Sequence, residues 1–101
     1  MNIAEYIPVG HDNAVTRSAL ALRTGMTDRQ VRREIEKANA SGEVAIINMH
    51  DGSGYFRPDL GDEIDCVVLE FFVKMEEARI RSTQKKLTGP RLVLEQIGAA
   101  Q

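Results

Sequence analysis

The sequence predicts a mainly α-helical protein with one small β-hairpin, an α+β class. Three patterns support this: two helix-forming segments separated by Gly25, short apolar segments around Asp51-Gly52, and a long stretch without Pro or Gly. The chain has 101 residues, of which 43% are hydrophobic and 28% charged, as expected for one small globular domain.

The N-terminal residues 2–15 predict no full helix. Pro8 and Gly10 interrupt any helix that starts near residue 2, and a short extended segment is expected around Pro8. Thr16 then predicts the N-cap of a helix over Arg17–Thr24, which Gly25 ends by adopting a positive φ.

A second helix is predicted over residues 28–39. Thr27 is its N-cap, and Gln30 completes a capping-box pattern. The apolar stripe of this helix consists of Val31, Ile35 and Ala38. The residues opposite or flanking that stripe are basic: Arg29, Arg32, Arg33 and Lys37.

A hairpin is predicted over residues 44–57, with strands at residues 44–48 and 55–57. Asp51-Gly52 is a tight-turn signal, and Pro58 stops the second strand.

A long helix is predicted from Asp62 to about Leu87. Apolar residues follow one another in it at alternating steps of four and three, the spacing of a coiled-coil seam: Ile64, Val68, Phe71, Met75 and Ala78. We expect this helix, within residues 61–88, either to complete the core or to form a dimer interface. Gly89-Pro90 is expected to end it, leaving residues 89–101 as a tail.

The sequence favours neither catalysis nor metal binding. His11 and His50 have no Cys, His or Glu at ligand spacing, and no phosphate loop, dinucleotide fingerprint or nucleophile elbow is present. We expect no enzyme, no cofactor, no metal and no small-molecule substrate. Cys66 is the single cysteine and lies in an apolar run, which predicts a buried side chain. The absence of a signal peptide and of a long apolar run predicts a cytoplasmic protein with no membrane partner.

The residues Ala21, Gly25 and Val31 have the offsets that a helix-turn-helix requires. A small residue lets the two helices approach, glycine makes the turn, and an apolar residue anchors the second helix. Together with the hairpin and its Gly54-Tyr55-Phe56, this segment resembles the winged helix-turn-helix proteins. The nearest likeness is to small bacteriophage and prophage winged-helix proteins, whose pattern includes a stretch like residues 12–16.

The resemblance implies a winged helix-turn-helix over residues 1–60, with the recognition helix at 28–39 and the wing at 44–57. It also implies sequence-specific binding of double-stranded DNA, in transcription regulation or replication control. The recognition helix would enter the major groove and the wing would reach the minor groove or the backbone. The DNA-binding residues expected on this basis are Thr27, Arg29, Arg32, Arg33, Lys37, Arg17, Arg23, His50, Ser53 and Arg57.

The overall charge of −2 and the acidic pI of about 5.7 keep an alternative open. In that alternative the domain is a protein–protein interaction or assembly module that binds no DNA. The charge is unevenly distributed, however, because residues 17–37 carry a local +3 and residues 59–70 a local −5. We expect the basic segment to face DNA, and a homodimer or a partner protein to strengthen the binding of a single copy.

Overall fold

A computed structural model describes residues 2–100, apart from the side chain of the last of these. The chain forms two compact units, one ending at Glu70 and one beginning at Phe71. The element order is a 3-10 helix at Ile3–Tyr6, a 3-10 helix at His11–Asn13, α1 at Arg17–Thr24, α2 at Asp28–Ala40, β1 at Ile47–Asn48, β2 at Tyr55–Phe56, α3 at Glu63–Lys86 and α4 at Thr88–Ala100.

Helices α1 and α2 have the boundaries and caps that their sequences predict. The Thr16 side chain accepts a hydrogen bond from the Ala19 N–H, and Gly25 ends α1 with a φ of 73°. The capping box of α2 is present, with Thr27 and Gln30 each bonded to the other's backbone N–H. Local chemistry therefore specifies this helical pair, and α2 continues only one residue beyond the expected end.

The core of the first unit is completed by its N-terminal residues. Ile3 and Ile7 are 2% and 1% exposed, and they pack in one cluster with Leu20, Val31 and Ile35. Asn2 caps the short 3-10 helix by accepting a hydrogen bond from the Ala4 N–H at 3.1 Å. No described residue of α3 belongs to this cluster, so the N-terminal residues supply these core positions. One 3-10 turn suffices because its apolar side chains, three and four residues apart, share a face.

The hairpin is shorter than its sequence pattern predicts. β1 and β2 pair antiparallel, with Ile47 opposite Phe56 and Asn48 opposite Tyr55. Residues 44–46 lie outside the strand. The side-chain amide of Asn39 takes both backbone groups of Ile46, accepting from its N–H at 2.7 Å and donating to its carbonyl at 2.9 Å. A side chain therefore replaces the neighbouring strand at this point.

The other edge of β2 pairs with the N-terminal part of the chain. Val15 and Tyr55 exchange two backbone hydrogen bonds of 2.9 and 2.7 Å. Arg57 donates its N–H to the Pro8 carbonyl and accepts from the Gly10 N–H, both at 2.8 Å. Arg57 thus bridges to the N-terminal segment and is not part of the hairpin ladder.

Two features of the C-terminal part of the chain were not predicted. Within the segment expected to be a tail, Thr88–Ala100 form α4. Pro90 is tolerated there since the first turn of a helix has no intrahelical partner for its N–H groups. Cys66 is exposed instead of buried, because Asp65 is the residue of α3 that turns inward.

We predict that Gly54→Ala destabilises the first unit through a steric clash with the segment paired to β2. A Cβ on Gly54 would lie 2.0 Å from the Val15 carbonyl oxygen, and the φ of this residue is +103°. We expect a loss of about 2 kcal/mol or more in the free energy of unfolding, measured by chemical denaturation.

The matched control is Gly52→Ala. Gly52 has a similar φ of +91° but open space where its Cβ would stand. Backbone strain alone should cost about 1 kcal/mol there. Equal losses in the two variants would contradict the close approach of Gly54 to Val15.

Candidate nucleic-acid interface

The outward face of α2 carries three exposed arginines. Val31 and Ile35 are 0% and 5% exposed, so the opposite side of the helix points to solvent. The arginines line a shallow concavity of about 230 Å³ together with one acidic residue: Arg29, Arg32, Arg33 and Glu36. Guanidinium groups clustered in this way suit an anionic, hydrogen-bond-accepting partner.

Two further basic residues, one on α2 and one on α1, are exposed. Lys37 is exposed, and its Nζ lies 3.4 Å from the Glu34 carboxylate. Arg23 lies in the last turn of α1 and is exposed. Both positions allow contact with a charged backbone, because an exposed ion pair exchanges partners at little cost.

The N-terminus of α2 is occupied by interactions within the chain. The Thr27 hydroxyl accepts the Gln30 N–H, but it keeps its own hydrogen for a second partner. The Arg17 Nε donates to the Asp28 carboxylate, and this hydrogen bond is the main cause that raises the pKa of Arg17. Arg17 thus forms an ion pair that joins the starts of α1 and α2, and its expected role as a phosphate contact stays a prediction.

The hairpin offers little cationic surface. Residues 44–56 contain Asp51 but no Lys or Arg. Ser53 donates its hydroxyl to the Asp51 carboxylate, which lowers the pKa of Asp51, and His50 is exposed with a φ of 61°. Arg57, half-buried, donates its Nε to the Ile7 carbonyl at 2.8 Å. Arg57 thus fastens the N-terminal segment, and its expected role as a DNA contact stays a prediction.

The residues expected at a dimer interface are divided between the two units. In the first unit Ile64 is 61% exposed and Val68 is half-buried. In the second unit Phe71 is 54% exposed, Met75 is half-buried and Ala78 is exposed.

A buried carboxylate links the start of α3 to the N-terminal segment. Asp65 is 0% exposed, and it accepts hydrogen bonds from the Asp59 N–H at 2.7 Å and from the His11 Nδ1 at 2.5 Å. Burial raises the pKa of Asp65, but the hydrogen bonds from Asp59 and His11 outweigh it and lower the pKa overall. The hydrogen bond to Asp65 is in turn the main cause that raises the pKa of His11.

These groups also form the one metal-like cluster found among residues 2–100. Ligand atoms of His11, Asp62 and Asp65 lie within 4.8 Å of one another. The His11 Nδ1 and the Asp65 Oδ1 already bind each other, so we interpret these two residues as an ion pair and not as metal ligands. Residue spacing could not reveal it, because His11 and Asp65 lie 54 positions apart.

Comparisons with protein-family profiles, curated proteins and solved structures gave no significant match. None of the helices in the described part of the chain combines the length and the apolar character that a bilayer crossing demands.

We predict that the stability of the first unit falls as the pH rises above 6.5, because of His11. Its pKa is raised above the ordinary 6.5, so its stabilising contribution is complete below pH 6.5 and is lost as the pH rises through the raised value. Asp65 acts in the opposite direction, since its pKa is lowered and its contribution is lost only as the pH falls below 3.8. Thermal unfolding followed by circular dichroism at pH 5.5 and 8.5 should show a lower Tm at the higher pH.

His11→Gln should remove this decrease in Tm, and His50→Gln should leave it unchanged. The two variants are matched, because each replaces one of the two histidines of the chain. A decrease that survives in His11→Gln would contradict the role assigned to the pair.

Proposed function

We propose that the first unit is a winged helix-turn-helix that binds double-stranded DNA in a sequence-specific manner. The observation that carries this proposal is the set of exposed arginines on α2: Arg29, Arg32 and Arg33. Helix α2 is held from behind by the buried Val31 and Ile35, so the arginines are presented on a rigid element.

The order of elements supports the winged-helix assignment. A short N-terminal helix is followed by a segment that pairs with the hairpin, then by α1, the Gly25 turn, α2 and the hairpin itself. In a winged helix the second helix of the pair reads the major groove, and α2 has that position. The 3-10 helix at Ile3–Tyr6 would replace the longer helix that usually precedes the pair.

The proposed mechanism combines base recognition with backbone contacts. Arg29 and Arg33, on the side of α2 opposite the core, would donate paired hydrogen bonds to the O6 and N7 atoms of guanine. Arg32, Lys37 and Arg23 would contact phosphates on either side of the groove. The Thr27 hydroxyl could donate its remaining hydrogen to a phosphate oxygen at the start of α2.

The ion pair between Arg17 and Asp28 has an indirect part in this mechanism. An unpaired carboxylate at the start of α2 would repel the DNA backbone, and Arg17 neutralises it. The hairpin would contribute through backbone groups and through His50 and Ser53, since Arg57 is engaged with the N-terminal segment. Regulation of transcription or of replication, in a phage or prophage, is the biological role that the family resemblance suggests.

The test is the affinity for duplex DNA, measured by fluorescence anisotropy over a series of salt concentrations. Duplexes selected from a random pool should bind more tightly than random ones. The double variant R29A/R33A should bind selected duplexes at least about tenfold more weakly, because each arginine–guanine pair contributes about 1–3 kcal/mol. A plot of the logarithm of the binding constant against the logarithm of the salt concentration has a slope that reports phosphate contacts. If the variant loses such a contact, the magnitude of this slope should decrease by about 0.9 for each phosphate lost.

Two further variants make the test specific to this face of α2. Glu36→Gln removes the acidic member of the same concavity and should strengthen binding at low salt. R29K/R33K keeps the charge but not the forked geometry, so it should lose sequence preference more than total affinity. Affinities unchanged in all three variants, or no affinity for any duplex, would overturn the proposal in favour of a protein-interaction module.

A further inference from the structure

The second unit presents many exposed apolar side chains. Each residue from 77 to 99 is exposed. Its large apolar side chains are between 38% and 67% exposed; they include Phe71, Val73, Ile80, Leu87, Leu92, Val93, Leu94 and Ile97. Helices of this kind obtain most of their stability by burying an apolar face, so this surface requires a partner.

Four of these residues recur at intervals of seven. Val73, Ile80, Leu87 and Leu94 are each separated by one heptad. Leu87 lies between α3 and α4: its N–H donates to the Gln84 carbonyl at 3.2 Å, and its carbonyl accepts the Arg91 N–H at 2.9 Å. A heptad repeat of apolar residues is the pattern that packs one helix against another.

The charges along α3 identify what that partner is. Its residues 63–77 contain five acidic residues, of which Asp65 is buried, and one lysine, whereas its residues 78–86 contain four basic residues and no acidic one. Two parallel copies would place like charges side by side. Two antiparallel copies would place the acidic half of each against the basic half of the other, around a two-fold axis near Ala78.

We propose that the second unit is the interface of a homodimer in which the α3 helices of two copies run antiparallel. The partner is a second copy for two reasons. The acidic half of α3 attracts the basic half of another α3 only when the two helices are antiparallel. The apolar heptad positions are also the same on both copies. The proposal does not depend on DNA binding. If both proposals hold, each dimer carries two recognition helices, as a pseudo-palindromic DNA site requires.

Sedimentation equilibrium of the full chain from 1 to 100 μM tests the interface. The wild type should approach twice the monomer mass of 11.2 kDa. I80A/L87A should raise the dimer Kd at least tenfold. Leu22→Ala, which removes an 86% exposed apolar residue from α1, is the matched control and should leave the Kd unchanged.

Charge reversal and cross-linking test the orientation. R79E/R81E and E76K/E77K should each weaken self-association at least tenfold, and a mixture of the two should restore it, because an axis near Ala78 places residues 79 and 81 of one copy beside residues 77 and 75 of the other. Under mild oxidation the wild type should form little intermolecular disulfide, because antiparallel pairing separates the two exposed Cys66 thiols. Glu77→Cys in a Cys66→Ser background should cross-link readily, because residue 77 lies near the two-fold axis and on the same helix face as Val73 and Ile80.

Other outcomes overturn the proposal. Efficient cross-linking through Cys66 as well as through residue 77 would indicate a parallel dimer. A wild-type monomer at 100 μM with no cross-link at either position would exclude a second copy and leave another protein, or nucleic acid on the basic half, as the partner of this surface.

Discussion

The fold of the first unit depends on backbone pairing along both edges of β2. One edge of β2 pairs with β1, and the other exchanges two hydrogen bonds with Val15. Arg57 extends the second edge through its bonds to Pro8 and Gly10. Each isolated piece is too short to be stable, since strands of two residues lie well below the usual length. Their stability comes from being held together around one central segment.

This pairing determines where α2 points. It fixes the N-terminal segment, whose Ile3 and Ile7 pack against Leu20, Val31 and Ile35. Asn39 fixes the other end of α2 by bonding both backbone groups of Ile46. With its apolar side anchored in this way, α2 presents the three arginines to solvent. The position of the candidate interface is therefore a consequence of the core.

The elements that sequence analysis predicted correctly are those with local signals. The boundaries of α1, the capping box of α2 and the turn at Gly25 follow from residues within a few positions of one another. The apolar stripe of α2 also determines its basic face, so the arginine cluster was predictable before the fold. The start and end of α3 were predicted to within one residue because no Pro or Gly interrupts it.

The features that sequence analysis missed depend on contacts between distant residues. From the sequence alone, Arg57 is expected to be an exposed cation of the hairpin. In the fold its Nε–H donates to the carbonyl of Ile7, 50 positions away. His11 has no partner at ligand spacing, yet Asp65 meets it in the fold. The core role of Ile3 was obscured by Pro8 and Gly10, which exclude a long helix but not one 3-10 turn. The net charge of −2 is likewise an average over unlike helices. Helix α2 is basic, whereas α3, which extends from the first unit into the second, is acidic in its N-terminal half and basic in its C-terminal half.

The central claim is that the arginine face of α2 contacts DNA. Its most direct test is a two-dimensional NMR titration of the ¹⁵N-labelled chain with a selected duplex, following backbone amides and arginine Nε–H signals. The account predicts that the largest shifts fall on residues 27–37 and on the Nε–H groups of Arg29 and Arg33, with the Arg57 signal unchanged. Shifts confined to residues 71–100, or no shifts at saturating duplex, would contradict it.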